Sequence, residues 1–356
     1  MNDGLTTYRG NLKHELVDIL FLVISAAVCG LNDWVEIELF GKGQLPWLRK
    51  FFPFRNGVPS HDTLGRVFSR LNTEEFSRCF SLWVNELGGQ TPGELIAIDG
   101  KRMRGSYDKS DGKSALHIVT AYATEQRLCL QQVATDEKSN EITAIPKLLE
   151  MLSLEGSTVS IDAMGCQRAI AEKIIAKDAD YILGVKNNQK GLFEQIEKVF
   201  EITAPASEDS SHDVGHGRFE QRKCSIISDL THFDDYKDWP GIKSLVRIRS
   251  IRTNRQSGKE EQQIRYYISN KLADAKIFNS QIRAHWHIEN KLHWVLDVDF
   301  QEDKSRKRKG GSAFNFNMVS KIALGLIEGL DPKRPRSQKR TTAAFDPVYR
   351  EKILRI

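Results

Sequence analysis

The sequence predicts an α/β chain: a mixed sheet flanked by helices, a helical domain ahead of it, and a β-rich insertion before one last long helix. Three observations lead there. Helical periodicity with capping signals fills residues 12–90. At Gly93 the pattern turns to short apolar strands rich in β-branched and aliphatic residues. From residue 142 helix and strand alternate, until a polar and then strand-like stretch interrupts the rhythm over 203–269.

A first helix is expected over 12–29. Its apolar run, residues 19–31, follows Arg9, Lys13 and His14 and so has the look of a signal-peptide core. Glu15 and Asp18 sit against it, and the apolar pattern continues through Trp34, Ile37, Leu39 and Phe40. The run is also too short to span a bilayer, so it reads as a buried helix. A short helix follows over 34–40. Pro46, Pro53, Gly57 and Pro59 then mark a loop. Ser60 is placed to cap a helix carrying Leu64, Val67, Phe68 and Leu71. Asn72, with Glu75 three residues on, resembles a capping box for a helix through Phe76, Phe80, Trp83 and Leu87. Two short helices with a tight joint suit a helix-turn-helix or a plain bundle, and the pattern does not choose between them.

Strands are expected over 95–99, 116–123 and 128–135, with a polar turn at 106–113. A helix (142–152), a strand (158–162), a helix (167–177), a strand (181–186) and a helix (189–200) follow. Three meandering strands and then alternation is the order of an RNase H-like fold; a doubly wound sheet would begin with alternation. Residues 204–214 read as a polar loop, and 217–228, 244–252 and 264–269 alternate like strands. A helix without proline or glycine runs over 273–298. The expected domains are 1–92, helical; 93–302, the sheet domain with its insertion at about 203–269; and 303–356, a basic C-terminal region.

Charge is unevenly spread. Residues 303–356 hold 14 Lys/Arg against 5 Asp/Glu, while residues 1–302 hold 38 against 42. Lys304, Arg306, Lys307, Arg308 and Lys309 form a near-continuous run, which suits a polyanion or, equally, a solvated tail. The five cysteines are widely spaced and contain no C-x-x-C pair. That argues against a disulfide framework or a zinc site and fits a reducing cytoplasm. Walker A, G-x-G-x-x-G and G-x-S-x-G signatures are absent from the sequence.

Two aspartates close apolar strands alike: LIAID at 95–99 and TVSID at 158–162. If the strands are neighbours, Asp99 and Asp162 meet at one sheet edge. Paired hard oxygens there suit Mg²⁺ or Mn²⁺, although an Asp in this position also caps turns. Glu289 lies on a helical stripe with Ile282, His285, Trp286, Leu292, His293 and Leu296. A charge among such neighbours needs a partner, either a metal ion or a Lys/Arg. Asp297, Asp299, Glu302 and Asp303 compete for the same role. H-E-x-x-H is absent, so carboxylates rather than histidines are the expected metal ligands.

The motifs resemble those of the H-repeat-associated family of insertion-sequence DDE transposases. They are HELVDILFLVISAAVCG (14–30), PSHDTLGRVFSRL (59–71), IAIDGKRMRGS (96–106), DEKSNEITAIPKLL (136–149), IDAMGCQ (161–167), VKNNQ (185–189), GHGRFEQR (215–222) and HWHIENKLHWVLDVDFQED (285–303). The resemblance implies an RNase H-like core whose catalytic, metal-holding triad is Asp99, Asp162 and Glu289. It also implies two Mg²⁺ or Mn²⁺ ions, double-stranded DNA as partner, a homodimer on DNA, and a bacterial cytoplasmic, nucleoid-bound setting. DNA contacts are expected from Lys101, Arg102, Arg104, Lys186, His285, Lys291, Arg306, Lys307 and Arg308. The wider superfamily's Tyr-x2-Arg-x3-Glu-x6-Lys pattern is replaced here by Ile282, His285 and Leu296 around Glu289.

Overall fold

Four helices come first: α1 (Leu16–Val28), α2 (Trp34–Leu48), α3 (His61–Arg70) and α4 (Thr73–Glu86). They belong to a computed structural model that describes residues 13–87, 93–107, 112, 114–135, 140–215, 217–236 and 238–356. The expected helix start at Leu12, most of the 106–113 turn, and the DEKS of the 136–149 motif lie outside the described residues. Asp33 caps α2 by accepting from the Val35 N–H at 2.9 Å, while Glu36 accepts from the Asp33 N–H at 3.0 Å. Asn72 caps α4 through the Glu74 and Glu75 N–H groups. Helix α2 runs eight residues beyond the expected end at Phe40 and carries Pro46 inside its last turn. Buried Trp47 and Leu48, with Phe21 stacked on Trp47 at 5.6 Å, hold that turn through packing.

The sheet domain follows with β1 (Leu95–Arg102), β2 (His117–Ala123), β3 (Leu128–Ala134), α5 (Glu141–Glu150), β4 (Thr158–Ile161), α6 (Arg168–Ile175), β5 (Asp180–Val185) and α7 (Lys190–Ile202). Then come β6 (Ser207–Gly215), β7 (Arg218–Ile227), β8 (Ser244–Asn254) and β9 (Glu260–Ser269). All nine strands form one mixed sheet, ordered β3-β2-β1-β4-β5-β9-β8-β7-β6. Only the β1–β4 and β4–β5 pairs are parallel. The insertion therefore extends the sheet: β9 pairs with β5 from Ile182↔Ser269 to Val185↔Tyr266. The expected polar loop at 204–214 is instead edge strand β6, paired along its length with β7. Its Ser, Asp and Glu side chains suit a strand that faces water, and pairing overrides their weak strand preference.

The expected unbroken helix over 273–298 is in three parts. Helix α8 (Ala275–His285) leads to a π-helical segment, Ile288–His293, and then to α9 (Trp294–Val298). The Trp294 N–H reaches back five residues to the Glu289 carbonyl. Last come α10 (Ser312–Glu328), α11 (Arg336–Phe345) and α12 (Pro347–Leu354). The basic region is not a free tail, because α10 is buried along almost its whole length. Its Lys321 ammonium donates to Thr120 on β2 and Gln132 on β3. Arg340 of α11 donates to the Ala27 carbonyl in the last turn of α1, which also accepts from the Gly30 N–H. Among the described residues no helix is long and apolar enough to cross a membrane.

Candidate active site

Strands β1 and β4 pair in parallel from Leu95↔Thr158 to Ile98↔Ile161. The next residues are Asp99, inside β1, and Asp162, just past the end of β4, so the two aspartates come together at the carboxyl end of β4. Asp162 also caps the turn that follows, its Oδ1 accepting from the Met164 N–H at 2.9 Å. Asn188 holds the same turn by donating to the Ala163 carbonyl at 2.7 Å. Gly100 faces the other side of β1, where a Cβ would lie 2.1 Å from Glu141 Oε1. Glycine there lets the Glu141–His117 pair, at 2.8 Å, pack directly against the strand.

Glu289, second residue of the π segment, joins Asp99 and Asp162 in the lining of a cleft of about 740 Å³. Lys186, Arg265 and Trp286 line the same cleft, with the Arg265 guanidinium 4.7 Å from the Trp286 ring. His293 brings Nδ1 to 3.4 Å from Asp99 Oδ2. His285 is fixed by Ser160, with Nδ1 and Oγ 2.9 Å apart.

The electrostatics separate the carboxylates. Burial pushes the Asp99 pKa up, but His293, His285 and the Gly100 N–H together outweigh it and hold the group below its ordinary value. Burial raises Asp162, helped by the nearby charges of Asp99 and Glu141 and opposed by the Met164 N–H. Glu289 is raised by burial first, then by Asp99. Burial also lowers the His285 pKa, favouring the neutral ring.

The competing carboxylates all have cationic partners. Asp297 and Glu302 pair with Lys101, Asp299 with Arg336 at 2.9 Å, and Asp303 with Arg104 at 3.7 Å. Glu289 forms no ion pair among the described residues, so the Lys/Arg partner left open by the sequence is not found. Hard oxygen donors that repel one another across a cleft suit a divalent cation. Among the described residues, no three His, Cys, Asp or Glu side chains stand close enough to form a closed metal-binding group.

The expected DNA contacts divide. Arg102, Arg104, Lys186 and Arg306 are exposed. Arg308 is half-buried, donates to the Gly105 carbonyl and lies over Tyr107; Lys291 is half-buried. Lys101 and Lys307 both turn inward. The Lys101 ammonium sits between Asp297 and Glu302. The Lys307 ammonium donates to the Asn32 carbonyl and lies 3.9 Å from the Phe316 ring centre. Arg265 and Asn188 were not singled out from the sequence as individual site residues. The signal for Asn188 was its place in VKNNQ; Arg265 gave none beyond being a basic residue in the strand before the last helix.

Residues 90–326 match the family model described as the transposase DDE domain, and residues 7–84 match its DDE_Tnp_1-associated companion. The chain is 40% identical over 354 residues to the "H repeat-associated putative transposase YhhI" of Escherichia coli K12, covering 96% of this chain and 93% of that protein. This chain belongs to the H-repeat-associated DDE transposases. It is also 44% identical to the "Putative transposase YncI" of Escherichia coli O157:H7, over 97% of this chain and 90% of that one. A solved piggyBac transposase synaptic complex with hairpin DNA aligns at TM-score 0.47 and 11% identity, over 98% of this chain and 75% of that chain. The transposase DDE match contains Asp99, Asp162 and Glu289, and it extends to residue 326, almost to the end of buried α10.

Proposed function

We propose that this chain is an insertion-sequence transposase that cuts and joins DNA strands, with Asp99, Asp162 and Glu289 as its catalytic carboxylates. The observation that carries the reading is the parallel β1–β4 register, which sets Asp99 beside Asp162 over a cleft that Glu289 also lines. The order β1-β2-β3-α5-β4-α6-β5 supports an RNase H-like core.

Asp99 would hold two divalent ions, Mg²⁺ or Mn²⁺, with Asp162 and Glu289 completing one site each. When bound, such a pair activates the attacking oxygen and stabilises the leaving one during in-line displacement at phosphorus. His293 keeps Asp99 ionised, and Ser160 fixes the His285 ring at the cleft wall. Exposed Arg102, Arg104, Lys186 and Arg306 would meet the phosphates of double-stranded DNA, while a second copy of the chain would hold the other element end.

The test is cleavage of a labelled duplex carrying the gene's genomic flanks, with and without Mn²⁺. Wild type should nick at the flank boundary only with metal. Asp99→Ala and Glu289→Gln should each lose about 10²–10³-fold or more, the scale of removing one stabiliser of transition-state charge. Binding without cleavage by wild type would instead indicate a silent DNA-binding protein. Cleavage that survives Glu289→Gln would remove Glu289 from the triad.

A further inference from the structure

We propose that Lys101 is a positioning residue: it ties the segment carrying Glu289 to the strand carrying Asp99 and does not contact DNA phosphate. This rests on the triad proposed above. Lys101 lies two residues beyond Asp99 on β1, so both side chains leave the same face of the sheet. Its side chain is 14% exposed. The ammonium donates to the His293 carbonyl at 3.2 Å and to Asp297 Oδ1 at 2.5 Å, and it forms an ion pair with Glu302 Oε1 at 2.9 Å.

All three partners fall within residues 293–302, directly after Glu289. One strand thus grips the segment at two points: Asp99 faces the His293 ring, and Lys101 binds the His293 main chain. The grip matters because the segment is π-helical, a single turn with poor internal support. Glu302, whose side chain is 5% exposed, is held from its other side by Asn317 of α10. To reach a phosphate, Lys101 would have to abandon that buried carboxylate, which is strongly unfavourable. The tie instead sets where Glu289 stands relative to Asp99. Displacements of about 1 Å at such distances cost on the order of 10²-fold in rate.

Lys101→Met alone strands Glu302, so the informative variant is Lys101→Met with Glu302→Gln, compared with Lys101→Arg and wild type as full-length protein. Three quantities are read: duplex affinity across a salt series, single-turnover cleavage at saturating DNA, and hydrogen exchange without DNA or metal. In the double variant we expect affinity and salt slope within twofold of wild type and cleavage down about 10²-fold. Amides of 288–298 should exchange at least tenfold faster while those of β4 and β5 are unchanged. Lys101→Arg, which keeps the charge and the donors, should recover part of the rate. A salt slope shallower by about one phosphate contact, unchanged cleavage, or unchanged exchange over 288–298 would each overturn the proposal. The exchange arm needs no catalysis: if wild type never cleaves, the triad reading fails while the tie is still decided.

Discussion

Lys307 carries its ammonium almost out of reach of water, at 8% exposure, over Phe316 and Trp34. Burial lowers its pKa to about 8 from 10.5. The folded chain therefore holds this proton less tightly than the unfolded chain. Stability is lowest where Lys307 is charged in both states, below pH 8, and rises as the pH climbs from 8 towards 10.5. The shift corresponds to on the order of 3 kcal/mol. The urea midpoint of wild type should gain on that of Lys307→Met between pH 7.5 and 10; a difference independent of pH would sink the idea. In the sequence Lys307 was one cation in a run, and nothing in a run distinguishes a side chain that folds back over two rings from one that points to solvent. Glu289 stood out more, because a carboxylate on a mostly apolar stripe needs a partner, a metal ion or a Lys or Arg.

At the scale of elements, the π segment carries Glu289, the third carboxylate of the proposed triad. Each residue of a regular helix turns the chain about 100°, so removing one residue here rotates everything beyond it. Deleting exposed Asn290 should restore α-helical spacing, leave the far-ultraviolet circular dichroism close to wild type and keep DNA affinity. Cleavage should fall by about 10²-fold or more; full cleavage would show that the irregular turn is incidental. Composition could not reveal this turn, because 273–298 contains neither proline nor glycine and its i, i+4 pattern fits a regular helix. Strands β1 and β4 were legible from their two-residue alternation, but β1 does not end at Asp99 as expected: pairing with β2 carries it on to Arg102. The parallel adjacency of β1 and β4 was not legible, since it depends on which strands meet across α5. Edge strand β6 was hidden for a related reason: its polar residues resemble a loop until β7 supplies a partner.

At the scale of the molecule, the first two helices and the last two are packed together. Trp47 of α2 donates to Glu351 of α12, and the Cys29 thiol donates to the Ala343 carbonyl. Arg350 is fully buried, 3.9 Å from the Trp47 ring centre, and donates to the Ala343 carbonyl and to Gln44. Arg350→Ala should lower stability by about 3 kcal/mol, combining a desolvated cation–π contact with two charged hydrogen bonds, as measured by urea unfolding. A loss below about 0.5 kcal/mol would mean that the C-terminal helices do not brace α2. The charge count was misleading here because Lys and Arg bury their stems readily while their heads find carbonyls. Lys339, Arg340 and Arg350, all counted as tail charge, are buried.

The packing of α1 against α10, α11 and α12 has a consequence for synthesis. A ribosome adding roughly 5–20 residues per second releases α1 on the order of 15–60 s before its last partners exist. Throughout that interval Ile19, Leu22, Val23, Ala26 and Ala27, all buried in the finished fold, have α2 beside them but lack the cover that α10, α11 and α12 later supply. The nascent chain is then a ready client for chaperones, and a product truncated before α10 keeps that face uncovered for as long as it survives.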